Sequence, residues 1–255
     1  MKTTIKIIAA LLGILLAAAI IGGLFIWSTL PKLSQERLEL PHNVVSINTG
    51  FAYAWLIPTE HGVLLIDAGH DKKGTALKTE LSRQGLSVSD VHTIILTHGH
   101  TDHWGGTAVF PNATVYIHEA DVPLLSGDEA EANNPLIAFF QQQMTKGLTP
   151  PANIETLSSE QTLDIDGEQV TILPTSGHTP GSIAILWQDI LFLGDSVQKG
   201  EDGLKLPPQM LGGDPAQIKA SLTPLLEQNF AIIAVAHSDY VENGRVQLQQ
   251  FINQK

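Results

Sequence analysis

The run Thr93-Ile94-Ile95-Leu96-Thr97 leads straight into His98-Gly99-His100-Thr101-Asp102-His103, and this junction constrains the chain more than any other feature. A short continuous apolar run bounded by turn residues reads as a buried strand. The fold must therefore cover that strand and deliver three imidazoles and a carboxylate at its end. Imidazole nitrogen and carboxylate oxygen are zinc's preferred ligands when no thiolate is offered, and the chain has no cysteine. His98 and His100, two apart at a strand exit, point to one side and can grip one ion. Asp102 and His103 follow after the chain turns and can reach a second. Gly99, Gly105 and Gly106 permit the tight backbone this needs. A solvated histidine loop is the competing reading, and the buried strand leading into a glycine-rich turn weighs against it.

Three further residues sit where strands end. His178 lies in Ser176-Gly177-His178-Thr179-Pro180-Gly181-Ser182, after a strand ending near Pro174. Asp195 follows Ile190–Leu193, and His237 ends Ala231–Ala236. Each alone reads as a structural hydrogen-bonding residue. Together they complete two ligand sets.

The rest of the chain alternates strands and helices. Strands are predicted at Val44–Asn48, Ala52–Pro58, Val63–Asp67, Thr114–Ile117, Val170–Pro174, Ile183–Trp187 and Ile190–Leu193, as well as at Ala231–Ala236. Helices are predicted over Lys72–Gly85, 129–145 and Val241–Asn253, and one opens at Asp214-Pro215, an N-cap followed by proline. Hairpins in each half, followed by strand–helix alternation, point to two packed sheets covered by helices.

The set His98-x-His100-x-Asp102-His103, His178, Asp195 and His237, with Asp67 in Leu65-Ile66-Asp67-Ala68-Gly69, resembles the ordered ligand set of the metallo-β-lactamase superfamily over about residues 43–255. The resemblance implies an αββα sandwich and two zinc ions, with iron or manganese as alternatives. It implies that His98, His100 and His178 hold one metal, that Asp102, His103 and His237 hold the other, and that Asp195 bridges them. Asp67 would brace the ligand loop by hydrogen bonds. Asp102, as ligand and orienter of the nucleophile, would be catalytic, the nucleophile being a metal-bound hydroxide. Ser196 has no base placed as in a triad and is expected to support Asp195 by hydrogen bonding.

Departures within the family narrow the substrate. Asp195 stands where β-lactamases of this fold usually have Cys or Ser, which argues against lactams. His100 stands where the diiron oxidoreductases have Glu, and Gln198 where acyl-homoserine lactonases have Tyr. Glyoxalase II enzymes share the Gly194-Asp195 and Gly177–Gly181 contexts, but the basic, cysteine-containing loop and helical domain that bind glutathione have no counterpart. The expectation is a hydrolase of a small ester, thioester or lactone. A small-molecule phosphodiesterase and a metal-binding or sensory domain without turnover are the alternatives. Tyr240 and Lys205 are candidate substrate contacts, and Phe139, Phe140 and Met144 belong to either a lid or the core.

Residues 7–27 form a 21-residue run without a charge, long enough to cross a bilayer, preceded by Lys2 and Lys6. Residues 1–30 are read as an uncleaved signal anchor, with cleavage near Ala17–Ala19 or a buried core helix as alternatives. The short tail would stay in the cytoplasm and place residues 43–255, beyond a polar 31–42 linker, outside it. With Lys2 and Lys6 set aside, 12 Lys and Arg face 26 Asp and Glu, a formal −14. That balance excludes nucleic acid as the expected partner, because its binding depends on cations meeting phosphates.

Overall fold

The computed structural model describes residues 33–34, 36–127, 139, 142–208 and 213–254. The anchor predicted over 1–30 lies outside the described residues, and so does most of the helix predicted over 129–145. Among the described residues no helix is long and apolar enough to cross a membrane.

Residues Leu33–Lys255 form one unit of four layers. The first sheet runs in chain order through β1 (Val45–Asn48), β2 (Tyr53–Pro58), β3 (Val63–Ile66), β4 (Val91–Ile95), β5 (Thr114–His118) and β6 (Ile154–Leu157). The pairs β1–β2 and β2–β3 are antiparallel, and β3 through β6 are parallel. The second sheet contains β7 (Gln161–Ile165), β8 (Glu168–Pro174), β9 (Ile183–Trp187), β10 (Ile190–Phe192), β13 (Ile232–Ala234) and β14 (Val241–Glu242), in the order β14-β13-β10-β9-β8-β7. A separate hairpin joins β11 (Gln198–Gly200) to β12 (Gly203–Lys205).

Alternation along each strand explains the layers. Trp55, Ile57, Leu64, Ile66 and Ile95 face inward and meet Val170, Ile172, Ile185, Trp187 and Phe192 of the second sheet. Their neighbours Ala54, Leu56, Val63, Leu65 and Ile94 pack outward with Leu77 and Leu81 of α1 (Thr75–Arg83). On the far side, Ala184, Leu191 and Ile233 pack with Ile218 and Leu222 of α3 (Pro215–Leu222) and Leu248 and Phe251 of α4 (Gly244–Asn253). Strands covered on both faces read as continuous apolar runs, which is why the central strands were legible.

The differences from expectation lie at the edges. Asp214 caps α3 as its position implies, accepting from the N–H of Ala216 at 2.8 Å and Gln217 at 3.3 Å. The closing helix starts later than Val241, because Val241–Glu242 pairs with β13 and Asn243 turns the chain at φ 54°. The strand β12, absent from the expected strands, buries Leu204. Within the 31–42 segment read as a linker, Leu33 and Leu40 are buried, Tyr53 Oη donates to the Ser34 carbonyl (3.1 Å), and Arg37 Nε reaches Glu80 Oε1 (2.9 Å).

Candidate metal centre

The ligand candidates converge at the ends of four strands. β4 continues through Leu96 and Thr97 into His98; the chain turns at Gly99 and enters α2 (Thr101–Trp104), which carries Asp102 and His103. Short backbone bonds set that turn, from Ala68 N to the His103 carbonyl (2.6 Å) and from His103 N to the His100 carbonyl (3.0 Å). Trp104 Nε1 donates to the Gly99 carbonyl (3.0 Å). His178 follows β8, Asp195 follows β10 and His237 follows β13.

His98 Nε2 lies 3.0 Å from His100 Nδ1, and His178 Nε2 lies 3.1 Å from the same atom. Asp195 reaches four imidazoles. Its Oδ2 is 2.9 Å from His237 Nε2, 3.5 Å from His178 Nε2 and 3.9 Å from His98 Nε2, and its Oδ1 is 3.5 Å from His103 Nε2. Asp102 Oδ2 lies 3.4 Å from His237 Nε2 and 3.8 Å from His103 Nε2. Three donor groups result, each with its atoms within 4.8 Å of one another: His98, His100 and His178; His98, His103 and Asp195; and Asp102, His103 and His237.

These residues fit divalent ions. Donors around a tetrahedral ion with bonds of ~2.0–2.1 Å stand about 3.3 Å apart, close to the spacing of the facing nitrogens. His103 Nε2 and Asp195 Oδ1 are buried without a hydrogen-bond partner, an orphaning that a cation between them would relieve. In three of the histidines the opposite ring nitrogen is occupied as metal-ligating histidines require, whereas His178 Nδ1 is buried without a partner. His103 Nδ1 meets Asp67 Oδ2 at 2.8 Å, His237 Nδ1 meets the Phe51 carbonyl at 2.8 Å, and His98 Nδ1 meets Thr97 Oγ1 at 3.1 Å. The carbonyl and carboxylate can only accept, so the Nδ1 atoms of His103 and His237 carry a proton, and Nε2 is the nitrogen that would ligate an ion on losing its own. Imidazole and carboxylate together suit a divalent transition metal such as zinc.

Electrostatics divide the cluster. Burial pushes His178 down to about 3, and burial with the neighbouring His103 holds His98 well below the usual histidine value. Burial lowers His100 as well. These rings are neutral and offer lone pairs. Burial also opposes charge on His103, but the carboxylates of Asp67, Asp195 and Asp102 outweigh it and hold this ring well above the ordinary value. His237 rises to about 9 because Asp195 outweighs its burial. Asp195 lies well below the carboxylate range, its burial overcome by His237 and His103.

Asp67 sits at φ 61°, in the left-handed region where non-glycine residues are strained. In that conformation its Oδ1 accepts from Thr97 N (2.8 Å), and its Oδ2 accepts from Thr97 Oγ1 (2.9 Å) and His103 Nδ1. Thr97, absent from the sequence-based candidates, therefore links Asp67 to His98. A threonine inside an apolar run reads simply as a strand former. Phe51 was also missed; its ring is 46% exposed and stands edge-on to His70.

The remaining candidates lie apart or lack the expected partners. Ser196 is buried, but its hydroxyl has no hydrogen-bond partner; the turn is closed instead by Ser196 N on the Leu193 carbonyl (3.1 Å). Lys205 is exposed on β12. Tyr240 packs against the sandwich core and lines a cavity of about 470 Å³ with Lys199, Asp239 and Gln247, and none of the seven ligand candidates lines that cavity. Phe139 is exposed, and Phe140 lies outside the described residues.

The model of the metallo-beta-lactamase superfamily matches residues 47–237. A probable metallo-hydrolase of Bacillus subtilis, YflN, is 28% identical over 193 residues, covering 68% of this chain and 71% of that protein. A hydroxyacylglutathione hydrolase of Shewanella baltica is 31% identical over 134 residues, or 52% of this chain; the match spans 42% of that enzyme. Among solved structures, a metallo-beta-lactamase family protein of Thermus thermophilus superposes with a TM-score of 0.64 at 22% identity, over 84% of this chain and 76% of that one. A metallo-beta-lactamase from Pontibacter korlensis gives 0.65 at 18%, over 86% and 99%. At these identities the structural likeness speaks for the fold.

Proposed function

Because this chain belongs to the metallo-beta-lactamase superfamily and is a metal-dependent hydrolase of it, we propose that it cleaves a small thioester, ester or lactone at a dinuclear zinc site. The placement of Asp195 carries the dinuclear reading: one carboxylate reaches His98 and His178 through Oδ2 and His103 through Oδ1. On this reading His98, His100 and His178 hold one ion, Asp102, His103 and His237 the other, and Asp195 both. Bound there, two such ions would supply a water of lowered pKa and a Lewis acid for the substrate carbonyl.

The protein's own contribution follows from exposure. The His98, His178 and His103 side chains are sealed, whereas Asp102 is 16% and His237 11% exposed. Substrate therefore enters on the Asp102–His237 side, where the carbonyl of Phe51 is bonded to His237 and the Phe51 side chain is exposed. Asp102 orients the attacking water by accepting its hydrogen at a carboxylate oxygen and passes the proton toward the leaving group. The Phe51 ring offers an apolar wall for the acyl part. The thioester comes first because the hydroxyacylglutathione hydrolase likeness supports that leaving group.

The test is metal analysis of the full chain with a panel of acyl-glutathione thioesters, aryl esters, lactones and aryl phosphodiesters. Turnover of a thioester, ester or lactone with two equivalents of zinc supports the reading. Cleavage confined to the phosphodiesters overturns it.

We also propose that residues 7–27 form a single membrane span with the catalytic unit outside the cytoplasm, supported by the hydropathy of that run. Extraction of the chain by alkaline carbonate, or protection from external protease in intact cells, would overturn it.

A further inference from the structure

We propose that Asp121 is the positioning residue for the three-histidine donor set, acting through both loops that carry it; this rests on the metal reading above. Asp121 lies in the 3-10 turn Glu119–Ser126 that follows β5 and is fully buried. Its Oδ2 accepts from Gly99 N at 2.8 Å and from Thr179 Oγ1 at 2.6 Å, and its Oδ1 accepts from Gly181 N at 2.7 Å. Gly99 separates His98 from His100 on the loop of the first sheet. Thr179 and Gly181 follow His178 on the loop of the second. One carboxylate thus fixes the distance between two loops, and all three histidines belong to them.

The energetics favour a specific role. A buried carboxylate is costly unless hydrogen-bonded, and no Lys or Arg pairs with Asp121 among the described residues. Three hydrogen bonds to an ionised acceptor are of the strong, short kind. The surroundings are shaped to admit it. A Cβ on Gly181 would lie 2.6 Å from Asp121 Oδ1, and one on Gly99 would lie 2.8 Å from the Asp121 carbonyl. Thr179 is itself held by Ser182, whose Oγ lies 2.7 Å from Thr179 Oγ1 and accepts from Thr179 N at 3.0 Å. The loop that Asp121 grips is therefore stiff enough to transmit the position to His178.

Asp121→Asn keeps the shape but replaces one acceptor oxygen with an NH₂, which cannot accept from a backbone N–H, so the hydrogen bond from Gly99 N or from Gly181 N gives way to two donors facing each other. In the full chain, zinc titration against a chromogenic chelator should show about a 10–100-fold loss of affinity for one equivalent. The cobalt-substituted protein should change its visible spectrum, a signature that a merely stabilising residue would leave alone. Thr179→Val removes a single contact and should fall in between. If Asp121→Asn does not fold, Thr179→Val decides by the same two readouts. Variants that fold and take up zinc and cobalt with wild-type affinity and spectrum overturn the proposal alone. A wild-type chain that takes up no metal overturns the metal reading and this proposal with it.

Discussion

Asp195 Oδ2 stands 2.9 Å from His237 Nε2, while the other oxygen of the same carboxylate faces His103 Nε2 at 3.5 Å. A group so placed serves both donor sets, and its removal should empty both together. Asp195→Ala is expected to lower zinc content and hydrolysis in parallel. Supporting partners of ligands already cost ~10–100-fold, so a ligand itself should cost at least about 100-fold. Elemental analysis alongside kcat/KM checks this. Full activity in the variant would remove Asp195 from the bridging role.

Metal uptake should release protons. His103 is held well above the ordinary histidine value and His237 near 9, so both rings carry a proton at neutral pH in the metal-free protein. A ligating imidazole must be neutral. The sign follows: raised values mean that protonation competes with the ion below about pH 9, and apparent affinity climbs as pH rises toward that value. Each displaced proton is worth up to about tenfold per pH unit. Calorimetry in buffers of different ionisation heat counts the protons, and none released at about pH 7 would contradict the arrangement.

Asp67→Asn should separate folding from metal binding. Asparagine tolerates the left-handed φ of 61° at this position. Its carbonyl can still accept from Thr97 N, but its NH₂ would face His103 Nδ1 and donate to it. The ring would then carry its proton on Nε2, the nitrogen aimed at Asp195 and Asp102. We expect about a 10–100-fold loss of zinc affinity with the unfolding midpoint of the metal-free protein little changed. Equal losses in both would mean that Asp67 serves stability alone.

What could be read in the chain follows what burial imposes on sequence. β4 lies between β3 and β5 with both faces covered, so its apolar run is continuous and its end marks the ligand loop. β7 is an edge strand with Thr162 and Asp164 turned to solvent, and its pairing with β8 depends on backbone bonds that leave little side-chain signal. β14 and the β11–β12 hairpin escaped for the same reason. The seven ligand candidates stood out because histidine and carboxylate at strand ends are chemically conspicuous. Thr97 and Asp121 did not: a threonine suits any strand, and the hydrogen bonds of Asp121 reach 22, 58 and 60 residues along the chain.

Phe51 offers the sharpest test of how substrate is chosen. Its contact with His237 runs through the backbone carbonyl, so Phe51→Ala preserves the hydrogen bond and removes only the exposed ring. The chemical step should therefore be spared. Losing that apolar surface should cost roughly 1–2 kcal/mol of binding to a substrate with an extended acyl chain, about 5- to 30-fold in KM at near-constant kcat. An acetyl thioester, too short to cover the ring, should lose much less. Steady-state kinetics across an acyl-length series resolves the two. A uniform fall in kcat at every length would instead show that the ring positions His237, and the apolar wall would have to be sought elsewhere on the rim.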